Sequence, residues 1–138
     1  GCLRAVGMDG FDKRTITSLS GGERQLVVIA RALAQEADFL LLDEPTANLD
    51  IHHQLTIMRL MTRLAEEGKG VIAVLHDLSL ALRYCTKLIL LEGGRVRAYG
   101  APAEVMREEL IGEVFKVRVH MERNRMTGEA IVDPLEPL

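Results

Sequence analysis

Two short apolar runs, Phe39-Leu40-Leu41-Leu42 and Gly70-Val71-Ile72-Ala73-Val74-Leu75, constrain this chain more than any other feature. Each is a continuous hydrophobic stretch closed by polar groups, Asp43-Glu44-Pro45 after the first and His76-Asp77 after the second. That pattern predicts strands buried on both faces. Pro45 has no N–H to give to a ladder and ends the first strand. Between the runs, Ile51 to Glu67 sets Leu55, Met58, Leu60 (or Met61) and Leu64 at helical spacing, with Asp50 as an N-cap and Gly68 as the stop. A strand, a helix and a strand joined by this length of chain make a right-handed parallel βαβ unit. Ligands of open α/β sheets gather beyond the carboxyl ends of the strands. Asp43, Glu44 and His76 are therefore expected on one sheet edge.

A second feature lies upstream. Ser20 and Glu23 stand three apart at the mouth of an apolar segment, a capping-box spacing. The helix they open is expected to turn Leu26, Val27, Ile29, Ala30 and Leu33 toward a core and Arg24, Arg31 and Gln35 outward. Gly21-Gly22 carry no β-carbon, which would leave the first-turn N–H groups open to an approaching anion, favoured there by the aligned peptide dipoles.

At 138 residues the chain is one small domain or a piece of a larger one. It begins with Gly rather than Met, which reads as a chain from which something has been cut away. A net charge of −3 gives no sign of a nucleic-acid binder. Cys2 and Cys85 are too few, and too far apart, for a disulfide framework or a zinc site, in keeping with a reducing compartment. No apolar run approaches the ~18 residues of a membrane span and no signal pattern opens the chain, so a soluble chain is expected.

Elsewhere the reading is coarser. Leu3, Val6 and Met8 fit the end of an amphipathic helix, followed by loop chemistry at Gly7, Asp9-Gly10 and Asp12. Asp77 to Cys85 reads as a short helix and Lys87 to Leu91 as a third strand. Gly93-Gly94 is a two-residue hairpin turn, with Arg95 to Tyr99 returning antiparallel. Glu92 ends an apolar run but precedes the turn glycines, and is read as structural. Gly100 to Met106 is a turn into a short helix. From Val114 the pattern alternates, with Val117, Val119 and Met121 on one face and Lys116, Arg118 and His120 on the other. A turn over Arg123 to Gly128 and a return over Glu129 to Val132 complete a terminal hairpin, with Pro134 and Pro137 expected to end the order.

Leu19-Ser20-Gly21-Gly22-Glu23 resembles the signature sequence of the ATP-binding cassette (ABC) ATPases. Phe39 to Glu44 is similar to the Walker B strand of that family, Ala47 to Asp50 to its D-loop and His76 to its H-loop histidine, in the family's order. The resemblance runs from about Thr17 to Met106. It implies an α/β fold, part of a P-loop NTPase, with a mainly parallel sheet flanked by helices and a C-terminal β-hairpin. Residues 1–36 would end a helical subdomain, 37–100 would form the catalytic core and 101–138 an appendage. It further implies ATP and Mg²⁺ as ligands, with Asp43 on the metal. Glu44 would be the general base, and His76 would contact the γ-phosphate and position water. Ser20, Gly21, Gly22 and Glu23 would face an ATP held by a second cassette, and Asp50 would lie at that dimer interface. The implied partners are that second cassette, membrane-spanning permease subunits and, indirectly, a substrate-binding protein, with no nucleic acid. The implied location is peripheral, on the cytoplasmic face of the inner membrane. The wording Leu19 to Gln25, His76-Asp77-Leu78 and Glu113 to Val119 most resembles ATPases of iron-siderophore, haem or cobalamin importers.

Three elements of the family pattern are missing. The sequence holds no Gly-x-x-x-x-Gly-Lys-[Ser/Thr], Gly68-Lys69-Gly70 being the nearest approach, and no stretch for a glutamine loop or an adenine-stacking aromatic residue. Without a P-loop the β- and γ-phosphates lose their backbone cradle. The chain alone is therefore expected neither to bind ATP tightly nor to hydrolyse it. Two alternatives stand beside the importer reading: a soluble ABC ATPase working on ribosomes or DNA, and a non-catalytic truncated cassette acting as an interaction module.

Overall fold

The computed structural model describes residues 1–126, 128 and 130–138, which form two compact units, Gly1–His76 and Asp77–Leu138. The first contains helix α1 (Cys2–Ala5), a 3-10 turn at Ile16–Ser18, helix α2 (Gly21–Leu33), strand β1 (Phe39–Asp43), helix α3 (Ile51–Glu66) and strand β2 (Gly70–Val74). The βαβ expectation holds. β1 and β2 pair parallel, from Phe39 opposite Gly70 to Asp43 opposite Val74. α3 makes the crossover and packs against β2, burying Ile57, Met58, Leu60, Met61 and Leu64. Its ends follow from local chemistry. Asp50 caps the first turn, and Gly68, at φ +94°, takes the left-handed conformation that stops the last.

The strands are not buried on both faces. Along β1, Leu40 and Leu42 are buried while Phe39 and Leu41 are 66% and 72% exposed. On β2, Ile72 and Val74 are exposed as well. Directly paired residues of a parallel ladder share a face, so Phe39, Leu41, Ile72 and Val74 form one uncovered apolar surface. The helix layer covers one side of the ladder, and no described residue of this unit covers the other. Part of the surface is self-protected, because the Phe39 ring lies over Gly70, where a β-carbon would come within 2.4 Å of it.

The second unit holds α4 (Leu78–Tyr84), β3 (Leu88–Glu92), β4 (Arg95–Gly100), α5 (Pro102–Val105), α6 (Glu108–Phe115), β5 (Val117–Arg123) and β6 (Ala130–Pro137). Asp77 caps α4 by accepting from the Leu80 N–H at 2.9 Å. Gly93 and Gly94 turn the β3–β4 hairpin with φ of +55° and +75°, the double left-handed geometry that only such residues adopt freely. Glu92 forms ion pairs with Arg97 and Lys116, which agrees with a structural role.

Three expectations change here. A mainly parallel sheet is not observed: among the described residues only β1–β2 is parallel, and β3–β4 and β5–β6 are separate antiparallel pairs. The alternation does not begin at Val114, since α6 runs through it to Phe115, burying Leu110, Ile111 and Gly112, and ends where Lys116 turns left-handed at φ +57°. Nor do Pro134 and Pro137 end the order. Both lie inside β6, opposite Val119 and Val117, with a register shift between Arg118 and Val119. In a two-stranded ladder each proline can turn its N–H-less side away from the partner, the position where a strand tolerates it. Of the turn and return expected over 123–132, Thr127 and Glu129 lie outside the described residues. Beside them the Gly128 N–H donates to the Asn124 carbonyl at 2.8 Å. No helix among the described residues is long and apolar enough to cross a membrane.

An uncovered apolar ladder face with two open edges drives association. The isolated chain is expected to self-associate with rising concentration in sedimentation velocity. Leu41→Lys combined with Ile72→Glu is expected to shift it toward monomer, and unchanged association would assign the effect to another surface.

Candidate functional site

The parallel register sets the first part of the site. Asp43 is the last residue of β1, and Glu44 follows it in a left-handed conformation at φ +46°. This backbone state is costly for a non-glycine residue and is kept only where the surroundings over-determine it. Here they do. Pro45 and Thr46 are buried, the Glu44 carbonyl accepts from the Ala47 N–H at 3.1 Å, and the Thr46 carbonyl accepts from Gln54 Nε2 at 3.3 Å. The turn therefore aims the Glu44 side chain across the strand ends, where its Oε1 lies 2.8 Å from His76 Nε2. Both side chains are substantially exposed, His76 at 73% and Glu44 at 47%. Residues 32 apart in sequence thus form one acid–imidazole pair open to solvent, with exposed Asp43 beside it in the chain. Such a pair can take a proton from water and hold an anion's oxygen.

The second part is the start of α2. Ser20 Oγ accepts from the Glu23 N–H at 3.2 Å, and Glu23 Oε2 accepts from the Ser20 N–H at 2.7 Å, so the capping box is complete. The hydrogen bond from the Ser20 backbone holds the Glu23 carboxyl below its usual range, with the Ser20 side chain and the charges of Arg14 and His53 acting in the same direction. The glycines are not equivalent. Gly21 is exposed, whereas Gly22 is buried, and a β-carbon on it would lie 2.0 Å from Cδ2 of His53. The openness expected of the pair holds on the β-carbon side for Gly21 alone.

The third part is Asp50. Its Oδ1 accepts from the His53 N–H at 2.9 Å, and both of its oxygens lie 2.9 Å from His53 Nδ1. These bonds, the backbone one first, lower the Asp50 pKa. His53 escaped the sequence reading. Its signal was the spacing of three from a helix N-cap, where a side chain can turn back on the cap.

Among the described residues no group of three or more His, Cys, Asp or Glu side chains could hold a metal ion. Mg²⁺ is seldom held by a protein cage; it takes one or two carboxylates together with phosphate oxygens and water. A single exposed aspartate at a strand end fits that mode, so Asp43 suits a Mg²⁺ that arrives with phosphates.

Comparison with known proteins follows the same lines. The family model for ABC transporters matches residues 1–47. The hemin import ATP-binding protein HmuV of Rhodococcus jostii is 47% identical over 132 residues, covering 96% of this chain and 45% of that protein. The HmuV protein of Rhodopseudomonas palustris is 49% identical over 140 residues, covering 96% of this chain and 52% of it. The cobalamin import ATP-binding protein BtuD of Halobacterium salinarum is 48% identical over 134 residues, covering 96% and 34%. The chain thus spans about half, or less, of the length of these relatives. Among solved structures, a metal-chelate type ABC transporter in an inward-facing conformation superposes with a TM-score of 0.88 at 28% identity, covering 97% of this chain and 54% of that one. A dimeric ATP-binding cassette bound to ADP and Pi superposes with a TM-score of 0.63 at 36% identity, covering 73% and 44%.

Two measurements test the local chemistry. Ser20→Ala is expected to cost about 1 kcal/mol of stability in denaturant unfolding, the usual loss for an N-cap. Glu23 and Asp50 have ordinary values of 4.5 and 3.8, and both are lowered in the fold. Their contribution is therefore fully present above those values and is lost as pH falls through the lowered ones. Thermal melts are expected to show this acid-side loss in the parent chain, and Glu23→Gln with Asp50→Asn is expected to flatten it.

Proposed function

This chain belongs to the ABC transporter ATPase family, and on that premise we propose that it supplies one part of an ATP-hydrolysing site that powers import of a metal chelate such as haem, cobalamin or an iron-siderophore. The observation that carries the proposal is the 2.8 Å contact between Glu44 Oε1 and His76 Nε2 at the carboxyl ends of two parallel strands. The relatives named as hemin and cobalamin import ATP-binding proteins support the choice of cargo.

In this proposal Glu44 accepts the proton of the water that attacks the γ-phosphate, while His76 holds a γ-phosphate oxygen and keeps the carboxylate oriented. Asp43 would hold Mg²⁺, which, when bound with ATP, neutralises charge on the phosphate oxygens. Ser20, Gly21, Gly22 and Glu23 bind in trans, presenting the positive end of α2 to an ATP held by the opposing cassette. Asp50 lies along the interface between the two cassettes. The division into a helical-subdomain end (1–36), a core (37–100) and an appendage (101–138) belongs to the same proposal. So do two cassettes closing on ATP and reopening after hydrolysis, the membrane permease subunits they drive with an indirect substrate-binding protein, and a peripheral position on the cytoplasmic face of the inner membrane. The same proposal needs a glycine-rich phosphate cradle, a motif this sequence does not hold, so the 138-residue chain alone is expected not to turn over ATP.

The test is made on the protein encoded by the continuous reading frame around this sequence, co-expressed with its neighbouring membrane subunits. Mg²⁺-dependent ATP turnover is expected there and not in the 138-residue chain. Glu44→Gln is expected to lower kcat by roughly 10²-fold or more while ATP binding persists. Turnover indifferent to Glu44→Gln would overturn the assignment of the base. Failure to co-purify with membrane subunits would remove the transport reading and leave a soluble ATPase.

A further inference from the structure

We infer that His53 is a positioning residue, a latch that ties the glycine pair opening α2 to the cap of α3, so that the Ser20–Glu23 segment and the Ala47–Asp50 loop hold one fixed relative geometry. Three observations carry this. The His53 imidazole cannot turn freely, because Nδ1 lies 2.9 Å from each carboxylate oxygen of Asp50 while its own backbone N–H donates to Oδ1. The ring so held lies against the Gly22 backbone, where a β-carbon would be 2.0 Å from Cδ2, 2.2 Å from Cγ and 2.6 Å from Nε2. Beside it, Leu49 Cδ2 would be 3.8 Å from a β-carbon on Gly21, so the contact joins two adjacent glycines to Leu49 and His53, which flank the Asp50 cap.

The glycine at position 22 therefore has a packing reason distinct from access to a phosphate. Any side chain there would displace a ring that two hydrogen-bond acceptors hold in place. His52, edge-on to His53 at 5.4 Å between ring centroids, closes another side of the ring. The charge of His53 also acts on Glu23 of the capping box, which links the latch to the cap of α2 as well. A displacement of Asp50 is passed on through a half-buried ring to the first turn of α2 without crossing a flexible segment. The inference takes its functional meaning from the proposed reading, in which both loops line a nucleotide-bearing interface. The latch itself is a property of the chain without nucleotide, so the two stand or fall separately.

The experiment is NMR and amide hydrogen exchange on the 138-residue chain. In the parent chain, a cross-relaxation signal between His53 Hδ2 and the Gly22 α-protons is expected, together with ring-current-shifted Gly22 α-protons. Their absence overturns the inference without need of a variant. In His53→Ala, the Glu23 and Arg24 amides, bonded to Ser20 Oγ and the Ser20 carbonyl, are expected to exchange roughly tenfold faster, with the Leu40 and Leu42 amides of β1 little changed. Gly22→Ala is expected to accelerate the same two amides in the parent background and to add little in the His53→Ala background, the non-additivity of residues in direct contact. Acceleration spread evenly over α2 and β1 would mean that His53 only adds global stability, and that result, like additive effects of the two substitutions, overturns the latch. Nucleotide turnover enters none of these readouts, so a failed importer reading leaves the result intact.

Discussion

The parallel pairing of β1 with β2 is the constraint on which the candidate site depends. Asp43 stands opposite Val74, so each strand runs out at the same edge and His76 arrives two residues beyond its strand, facing Glu44. A slip of one residue in this register would send every side chain of one strand to the other face. Leu40 and Leu42 would leave the core, which is what holds the register. The burial of two leucines thus fixes a contact between two exposed polar groups. The left-handed turn at Glu44 completes it, and its cost is met by the burial of Pro45 and Thr46 and by the bond from Gln54.

Much of this was legible because it is local chemistry repeated at the right spacing. The Ser20–Glu23 box, the Asp50 cap, the stop at Gly68 and the Gly93-Gly94 turn each state their geometry within four residues, and each is found in place. The apolar runs at 39–42 and 70–75 were legible as strands but not in their exposure. A continuous run predicts two covered faces, whereas burial depends on what packs above the ladder, and here Leu41 and Ile72 meet solvent. The run encodes a sheet interior, and one side of that interior is open in this chain.

What the sequence hid is the outcome of competition between patterns. Val114 and Phe115 fit both the end of a helix and the start of an alternating strand. The helix takes them because Leu110 and Ile111 bury one turn earlier and Lys116 accepts a left-handed backbone. Pro134 and Pro137 suggested an end to order because proline removes a donor. A two-stranded ladder leaves one side of each strand free of that demand, and β6 continues through both. His53 hid for a different reason, since nothing in its own neighbourhood names Gly22 as a partner. The pairing is tertiary, formed when α3 is laid across the start of α2.

That pairing changes how the glycine pair is to be understood. Two adjacent glycines at a helix start look like one device for admitting an anion, yet they divide the work. Gly21 is exposed and keeps the first turn approachable, while Gly22 gives up its side chain to let an imidazole close on the backbone. The helix end that could meet a phosphate is thereby held from behind by a ring, and the ring is held by the carboxylate that caps the next helix. An anion site made only of backbone N–H groups has no side chains of its own to set its position. It needs support from a neighbouring element, and among the described residues His53 makes that contact at Gly22, with Leu49 beside it at Gly21.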